Sequence, residues 1–332
     1  MFGEVRTPSQ QVITVFGGSG FLGRYVVGAL VKRGYRVRVA VRRPELANFL
    51  QVVGSVGQIH AIQANLRFPD SIRRAAEGAD GVVNLVGILG ESGRQRFGRL
   101  HADGAQLVAE ATPHRAALVH VSALGADPDS PSLYARSKAD GEQGVRQARP
   151  DAVILRPSVI FGPGDSFFNR FASLSRALPV LPLAGADTRF QPVYAADVSE
   201  AVARGIEGRV AGGVYELGGP EVRTLRELVQ MVLAATGRRR LLLSVPPGAA
   251  RLQARVLELL DLVTLGLLPK ELRLTRDQVA LLQRDNVVSE KAQVEGRTLE
   301  GIGIRPTAPE AIVPSYLVRF RKTGQFDIER AA

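Results

Sequence analysis

The sequence predicts an α/β fold, a doubly wound parallel sheet followed by a smaller C-terminal α/β lobe. Short runs rich in β-branched residues alternate with segments of helical periodicity through the first half of the chain, and this alternation is typical of right-handed βαβ units. After Pro157, prolines become frequent and divide the chain into short pieces. We expect a first domain over residues 1–160 and the lobe over 161–332, with parts of the lobe returning to the first domain.

Each predicted element follows from the local residue pattern. Six strands are expected in the first half, at Val12–Phe16, Arg36–Val41, Gln58–Gln63, Gly81–Val86, Leu118–Val121 and Val153–Leu155. Helical patterns lie after the first strand and around 70–78, 94–112 and 132–148. The lobe is expected to hold strands at Phe190–Tyr194 and Val214–Leu217, a helix capped by Thr224 and Glu227, and helices at 247–262, 276–284 and 309–322. Asp197 is expected to cap a further helix.

A glycine cluster joins the first predicted strand to the first predicted helix. Gly17 or Gly18 permits the turn, and Gly20 lets a pyrophosphate approach the backbone. Gly23 lets the helix pack closely on the strand, while the helix N-terminus attracts phosphate. This context indicates a Rossmann-like, dinucleotide-binding first domain. The predicted cofactor contacts here are Gly17, Gly18, Ser19, Gly20, Phe21, Leu22 and Gly23.

The end of the second predicted strand indicates which cofactor is bound. NAD-binding folds place a carboxylate here to hold the ribose 2′-hydroxyl. This strand instead runs into Arg42 and Arg43. Guanidinium groups pair bidentately with a 2′-phosphate, whereas an acid would repel it. The sequence therefore predicts a preference for NADP(H), with NAD(H) as the alternative; the competing interpretation is two solvated surface arginines.

Composition excludes several classes of function. The 332-residue chain has no cysteine, and its four histidines form no metal-binding pattern. Its net charge of +11 is mostly due to arginine, without a nucleic-acid motif. No signal peptide is recognisable, and the apolar region Val256–Leu268 is interrupted by acids and too short for a membrane span. We expect no nucleic-acid partner, no metal and no transmembrane segment.

Tyr134 and Lys138 are the candidate catalytic pair. They are four residues apart, so they share one face of the predicted helix. A nearby ammonium stabilises a phenolate and lowers the pKa of the tyrosine. Ser122 is the candidate for the third group, a hydroxyl that donates to a substrate oxygen.

Several motifs together resemble the extended or atypical short-chain dehydrogenase/reductase superfamily. They are Gly17-x-x-Gly20-x-x-Gly23, Asn65-Leu66, Val83-Asn84-Leu85-Val86-Gly87, Tyr134-x-x-x-Lys138, Arg156–Gly162, Gln191–Val198 and Tyr215–Pro220. This resemblance implies that the lysine also holds the nicotinamide ribose. It adds cofactor contacts at Asn65, Leu66, Val86, Gly87, Tyr134, Lys138 and Pro157. In extended members the catalytic hydroxyl lies two residues beyond the first serine after the fifth strand, where this chain has Leu124.

A narrower resemblance is to the NAD(P)H-binding accessory subunits of respiratory complex I and their bacterial relatives. It is carried by His120–Ala126, Tyr134-x-x-x-Lys138, Phe167–Ser173, Gln191–Tyr194, Leu274–Val279 and the basic C-terminal segment. It implies a subunit of the peripheral arm of NADH:ubiquinone oxidoreductase whose bound nucleotide is structural and not turned over. The implied partners are complex I subunits, with peripheral membrane association through them. The implied location is the cytoplasm or the cytoplasmic face of the inner membrane, which is the matrix side in mitochondria.

Two other functions stay open from the residues. One is an NADP-dependent reductase, epimerase or dehydratase that acts on a sugar nucleotide or another carbonyl substrate. The other is a regulator that binds a partner according to NADP(H) occupancy. Leu124 argues against catalysis, whereas the intact Tyr134/Lys138 pair argues for it.

Overall fold

A computed structural model of the chain describes residues 7–91, 93–263, 275–322 and 324. Residues 264–268 of the apolar stretch Val256–Leu268, and the basic Lys270 and Arg273 that follow it, therefore lie outside the described residues. The same holds for Leu274, the first residue of one segment that carries the narrower resemblance. Within the described residues, no helix has the length and apolar character that crossing a bilayer requires.

The strands follow the predicted order closely through the first half. They are β1 (Val12–Phe16), β2 (Arg36–Val41), β3 (Ile59–Gln63), β4 (Gly81–Asn84), β5 (Ala117–Val121), β6 (Val153–Pro157), β7 (Ile160–Phe161), β8 (Val180–Ala184), β9 (Arg189–Phe190), β10 (Val193–Tyr194), β11 (Gly213–Leu217), β12 (Arg223–Thr224) and β13 (Leu241–Val245). The six strands expected before residue 160 are all present, with ends shifted by at most two residues.

The helices connect these strands and also form much of the C-terminal part. They are α1 (Phe21–Lys32), α2 (Pro69–Ala76), α3 (Gly104–Ala111), α4 (Leu133–Ala148), α5 (Phe167–Ala177), α6 (Ala195–Ile206), α7 (Leu225–Ala235), α8 (Pro247–Val263), α9 (Arg276–Leu281), α10 (Glu290–Val294) and α11 (Pro309–Leu317). A π-helical turn, Gly98–Asp103, runs directly into α3.

Seven strands of the described residues form one parallel sheet in the order β11–β6–β5–β4–β1–β2–β3. The predicted doubly wound parallel sheet is confirmed. The order reverses between β1 and β4, and ligands of such sheets bind at the carboxyl ends of the strands at this switch point. The segments that follow β1 and β4 are therefore the expected ligand-binding region of this sheet.

The chain divides into two compact units, each with its own core. The first comprises residues 1–157, 195–217 and 289–305, and the second comprises 158–194, 218–288 and 306–332. In the first unit, β11 joins the large sheet beside β6, and side chains such as Phe16 and Ile72 are almost fully buried. The second unit packs α5, α7 and α11 around Phe161, Phe168 and their neighbours.

Four local expectations differ from the structure. Asp197 lies inside the first turn of α6 and is not its N-cap, because the helix already begins at Ala195. The run Phe190–Tyr194 is split into β9 and β10 at Pro192, which has no N–H to donate.

The other two differences concern helix ends. The last helix changes to a 3₁₀ turn after Leu317, before the basic residues that were expected at its end. The helix expected over 276–284 ends at Leu281.

Candidate functional site

The turn after β1 has the shape of a phosphate cradle. Gly17 adopts φ +80°, so it is the glycine that permits the turn. A Cβ on Gly23 would lie 2.4 Å from the Gly17 carbonyl oxygen, so the start of α1 packs on the turn itself. A Cβ on Gly18 would lie 3.0 Å from Val39, and this glycine is therefore closely packed against the sheet.

The outward side of this turn is open toward a ligand. Gly20 is exposed, and its absent Cβ would approach the Gly17 oxygen at 3.2 Å. As N-cap of α1, Gly20 provides no side-chain hydrogen bond to the helix. The first N–H groups of α1 can therefore bind an anion, aided by the helix dipole. Ser19, Phe21 and Leu22 are half-buried around this opening. These residues fit the pyrophosphate of a dinucleotide.

A pocket of about 220 Å³ lies at the carboxyl ends of β2 and β3. It is lined by Arg42, Gln63, Asn65, Phe68, Ser71 and Arg74, and we call it the arginine pocket. Arg43 is exposed and is absent from this lining. Arg74 was not predicted, because it comes from α2 and reaches the pocket only through the fold.

Asn65 and Leu66 have different environments despite being neighbours. Asn65 borders the arginine pocket, and its Oδ1 accepts a hydrogen bond from Arg67 N at 3.1 Å. The Asn65 carbonyl oxygen accepts from Ser71 Oγ at 3.0 Å, which fixes the loop on α2. Leu66 is buried in the core of the first unit.

Asn84 determines the proton position on a buried histidine. Its Oδ1 accepts from Val86 N at 3.1 Å, so its Nδ2 faces His120 Nδ1 at 3.2 Å. Nδ2 donates, and the proton of the neutral His120 ring therefore lies on Nε2. Within the described residues this Nε2 has no hydrogen-bond partner. Burial, together with the charge of Lys138, lowers the pKa of His120 to about 3.

The segment after β5 keeps the register of the sheet. Ser122 N donates to Leu155 O at 2.7 Å, and Leu124 N donates to Pro157 O at 3.0 Å. Ser122 could take the place of the catalytic hydroxyl only if the loop shifted its register by two residues, and these hydrogen bonds show no such shift. Its hydroxyl is buried and has no partner among the residues that the structure describes. An orphaned buried hydroxyl is costly unless a water or ligand group satisfies it.

Lys138 is buried on α4, which is capped by the side chain of Ser132. Its Nζ donates a long hydrogen bond, 3.4 Å, to the carbonyl oxygen of Val121. Burial lowers its pKa to about 8, although the nearby Glu142 opposes this shift. A Cβ on Gly87 would lie 3.4 Å from this Nζ. The absence of that carbon leaves room beside the ammonium for a ligand hydroxyl.

Tyr134 lies one turn before Lys138 on α4 and is half-buried. Its ring meets those of Phe97 and His101 edge-on, at 5.8 and 5.5 Å between centroids. His101 is a site residue that the sequence analysis missed. Its ring is buried, and burial together with Lys138 lowers its pKa to about 3. No spacing in the sequence marks it, because its partners come from two other segments.

An ion pair between buried Glu142 and half-buried Arg156 lies one turn beyond Lys138. Glu142 accepts hydrogen bonds from Arg156 at 2.8 and 2.6 Å, and Arg156 also approaches Glu216 at 3.7 Å. The carboxylate and guanidinium groups form a bidentate pair. The buried polar cluster is defined as His101, His120, Ser122, Lys138 and Glu142. Within the described ranges, no group of three or more metal-binding side chains occurs.

Comparisons with known proteins agree with this geometry. A family described as the NAD-dependent epimerase/dehydratase family matches residues 13–218. The chain is 32% identical to the mitochondrial NADH dehydrogenase (ubiquinone) 1 alpha subcomplex subunit 9 of Arabidopsis thaliana, over 94% of this chain and 79% of that protein. It is 34% identical to a ceramide reductase of Caulobacter vibrioides, over 58% of this chain and 60% of that protein.

A solved structure has the same fold. It is an NADPH-dependent quinone oxidoreductase from Escherichia coli, complexed with NADPH. The TM-score is 0.67 at 21% identity, and the match covers 92% of this chain and 99% of that one. At this identity the likeness supports the fold alone.

Proposed function

The chain belongs to the NAD-dependent epimerase/dehydratase family, and we propose that it is an NADP(H)-binding accessory subunit of respiratory complex I with little or no turnover. The observation that carries the proposal is the extent of the likeness to the Arabidopsis complex I subunit. That likeness spans 94% of the chain, whereas the family match ends at residue 218. The additional shared region is the part that a generic cofactor-binding domain does not explain.

The residues around the switch point support nucleotide binding. The Gly17–Gly23 turn would hold the pyrophosphate, Lys138 would hold the nicotinamide ribose, and Pro157 would border the same end. Val86 and Gly87 would line the space between them. A bound nicotinamide nucleotide supplies a hydride donor or acceptor. The chain's own contribution is to bind and orient it.

The segment after β5 supports binding without efficient turnover. Leu124 stands where the resemblance to extended short-chain dehydrogenases implies a catalytic hydroxyl, and it is buried. A substrate oxygen beside Tyr134 would lack one donor, and losing such a donor typically slows a reaction by about a hundredfold to a thousandfold. The nucleotide would then stabilise the fold by mass action, as a ligand that binds the native state alone.

The arginine pocket supports a preference for NADP(H). Arg42 follows β2, and Arg74 faces the same cavity from α2. Two guanidinium groups suit a dianionic 2′-phosphate, and no carboxylate lines this pocket among the described residues. We therefore assign the 2′-phosphate contact to Arg42 and Arg74, and Arg43 becomes a matched control.

We propose that docking on the complex uses residues 246–322. Arg251 and Arg255 are exposed on α8, beside exposed Leu252 and Val256. A mixture of apolar side chains and arginine is typical of protein interfaces. The net charge of +11 favours an acidic partner surface. The proposed location is the cytoplasmic face of the inner membrane, or the matrix face in mitochondria.

Gentle detergent extraction of native membranes, followed by native gel separation, tests the assignment. We expect the protein to migrate with active NADH:ubiquinone oxidoreductase and to leave it after a salt wash that weakens charged contacts. If the chain runs only as a small species while the intact complex lacks it, the assignment is wrong.

A second candidate function is an NADP-dependent reductase. It is favoured by the Tyr134/Lys138 pair, by the orphaned Ser122 hydroxyl and by the ceramide reductase relative. Purified protein should be tested for NADPH oxidation across carbonyl, lipid and sugar-nucleotide substrates. Robust turnover that Tyr134→Phe abolishes would favour this function over the accessory role.

A further inference from the structure

The π-helical turn Gly98–Asp103 places a buried histidine beside the proposed nucleotide site. Such turns are rare in proteins overall, and those that occur are often found at functional sites. The turn carries His101, whose side chain is 2% exposed. The glycine turn and the Tyr134/Lys138 pair do not account for this residue.

Two hydrogen bonds connect the His101 ring to separate elements. Nε2 accepts from the backbone N–H of Ile88 at 3.0 Å, and Nδ1 lies 2.9 Å from Ser137 Oγ. A backbone amide can only donate, so Nε2 is unprotonated and the neutral ring carries its proton on Nδ1. Nδ1–H therefore donates to Ser137, whose hydroxyl donates onward to the Tyr134 carbonyl oxygen at 2.8 Å.

Close packing holds the turn against α4. A Cβ on Gly141 would lie 2.1 Å from the carbonyl oxygen of His101, so only glycine lets these backbones approach this closely. On the other side, a Cβ on Gly87 would lie 3.6 Å from His101 Nε2 and 3.4 Å from Lys138 Nζ. The imidazole thus lies between the segment that follows β4 and the face of α4 that carries Tyr134 and Lys138.

We propose that His101 is a positioning residue that fixes the segment after β4 relative to Tyr134 and Lys138, and so shapes the site for the nicotinamide half of the nucleotide. The proposal rests on the proposed nucleotide binding. The ring acts through Ile88 and Ser137 and does not itself hold the ligand. Aromatic contacts with Phe97 and Tyr134 restrict its orientation further.

The test compares a whole nucleotide with its adenosine half. NADPH occupies both halves of the site, whereas adenosine 2′,5′-bisphosphate occupies only the adenosine half. His101→Phe keeps a stacked ring but removes both hydrogen bonds. We expect this variant to bind NADPH about tenfold more weakly, which is the scale of one or two lost hydrogen bonds. Affinity for adenosine 2′,5′-bisphosphate should not change, as calorimetry can measure.

Two further variants separate the two hydrogen bonds of the His101 ring, to Ile88 and to Ser137. His101→Gln can place an amide oxygen near the position of Nε2, so we expect it to restore much of the NADPH affinity by accepting from Ile88. Ser137→Ala removes the other hydrogen bond and should weaken NADPH severalfold. Ser175→Ala is its matched control, because Ser175 is also buried and donates to the carbonyl three residues earlier, but in α5 of the second unit.

The outcomes distinguish failure of this proposal from failure of the proposed function. Equal NADPH affinity in wild type and His101→Phe would overturn the positioning role. An equal loss for both ligands, together with a lower melting temperature, would indicate a general structural role and would also overturn it. If the wild type binds neither NADPH nor NADH, the proposed function fails, and this inference fails with it.

Discussion

The arginine pocket and the buried polar cluster lie in the same unit but use opposite physical chemistry. The arginine pocket is open to solvent, and Arg42 is exposed. The buried polar cluster is enclosed, and burial shifts the pKa values of Lys138, His101 and His120. Salt screens charges near solvent much more strongly than it screens enclosed charges. We therefore expect the two regions of the proposed nucleotide site to respond differently to mutation, pH and ionic strength.

The difference also separates residues that should affect nucleotide affinity from residues that should affect folding stability. The side chain of Arg42 or Arg74 in the arginine pocket can be removed with little effect on folding, because both are exposed and their charges are already hydrated. Glu142 of the buried polar cluster is paired with Arg156, so removing its charge leaves the guanidinium group without its main partner.

The first prediction concerns the ion pair of the buried polar cluster. Glu142→Gln should lower the free energy of unfolding by about 3–5 kcal/mol, because it leaves the Arg156 guanidinium without its main buried counter-ion. The lower end of this range is expected, since Glu216 remains 3.7 Å from Arg156. Urea unfolding of the variant and wild type gives the value.

Asp70→Asn provides the matched control for that measurement. It disrupts the ion pair with Arg73, in which both side chains are largely exposed. Exposed pairs contribute about 0–1 kcal/mol, so the control should be nearly as stable as the wild type. Similar losses in the two variants would show that burial does not distinguish these ion pairs.

The second prediction concerns pH. Lys138 has a pKa of about 8 in the folded chain and 10.5 as its ordinary value, so between these pH values the unfolded chain binds more protons. The contribution of Lys138 to the free energy of unfolding therefore rises as the pH increases from about 8 to 10.5. Lys138→Met should remove this rise and stabilise the ligand-free protein at pH 7, by an amount on the order of 3 kcal/mol at most. The variant should also bind NADPH more weakly.

Unfolding experiments at pH 7 and pH 10 measure this effect as a difference from wild type. Lys291→Met is the control, because the Lys291 side chain is 83% exposed and should change stability by less than about 0.5 kcal/mol. A Lys138→Met protein that is less stable at pH 7 would mean that the ammonium is better solvated than its burial indicates.

The sequence predicts most of the sheet because its strands are short runs rich in β-branched apolar residues, with helical patterns between them. Val12–Phe16 and Arg36–Val41 match their predicted bounds without change. The glycine turn could also be assigned, since strand, glycine cluster and helix follow one another directly. The fold of the cofactor-binding half is thus encoded locally.

Long-range features of the candidate site could not be predicted in this way. Arg74 reaches the arginine pocket only because α2 follows β3 in space, and His101 matters only because Gly141 admits its backbone. The π-helical turn has no local signature, since it depends on packing against α4. Asp197 does not cap α6, because a single acidic residue does not fix where a helix starts, and α6 begins two positions earlier.

The last prediction concerns the arginine pocket, where the effect should be smallest and should fall on binding alone. Arg42→Ala and Arg74→Ala should each weaken NADPH by roughly 1–3 kcal/mol, the scale of a lost charge-assisted hydrogen bond, and leave NADH nearly unchanged. Arg43→Ala should leave both affinities unchanged, because Arg43 does not line the pocket.

Salt distinguishes this contact from those of the buried polar cluster. The proposed preference for NADPH over NADH should shrink as ionic strength rises, because the arginine pocket is open to solvent and its charges are screened. The loss caused by His101→Phe should persist at the same salt concentration, since that variant alters enclosed hydrogen bonds. Calorimetric titrations with NADPH and NADH at low and high salt measure both effects. If Arg43→Ala rather than Arg74→Ala removes the preference, the 2′-phosphate binds outside the arginine pocket, at the exposed end of β2.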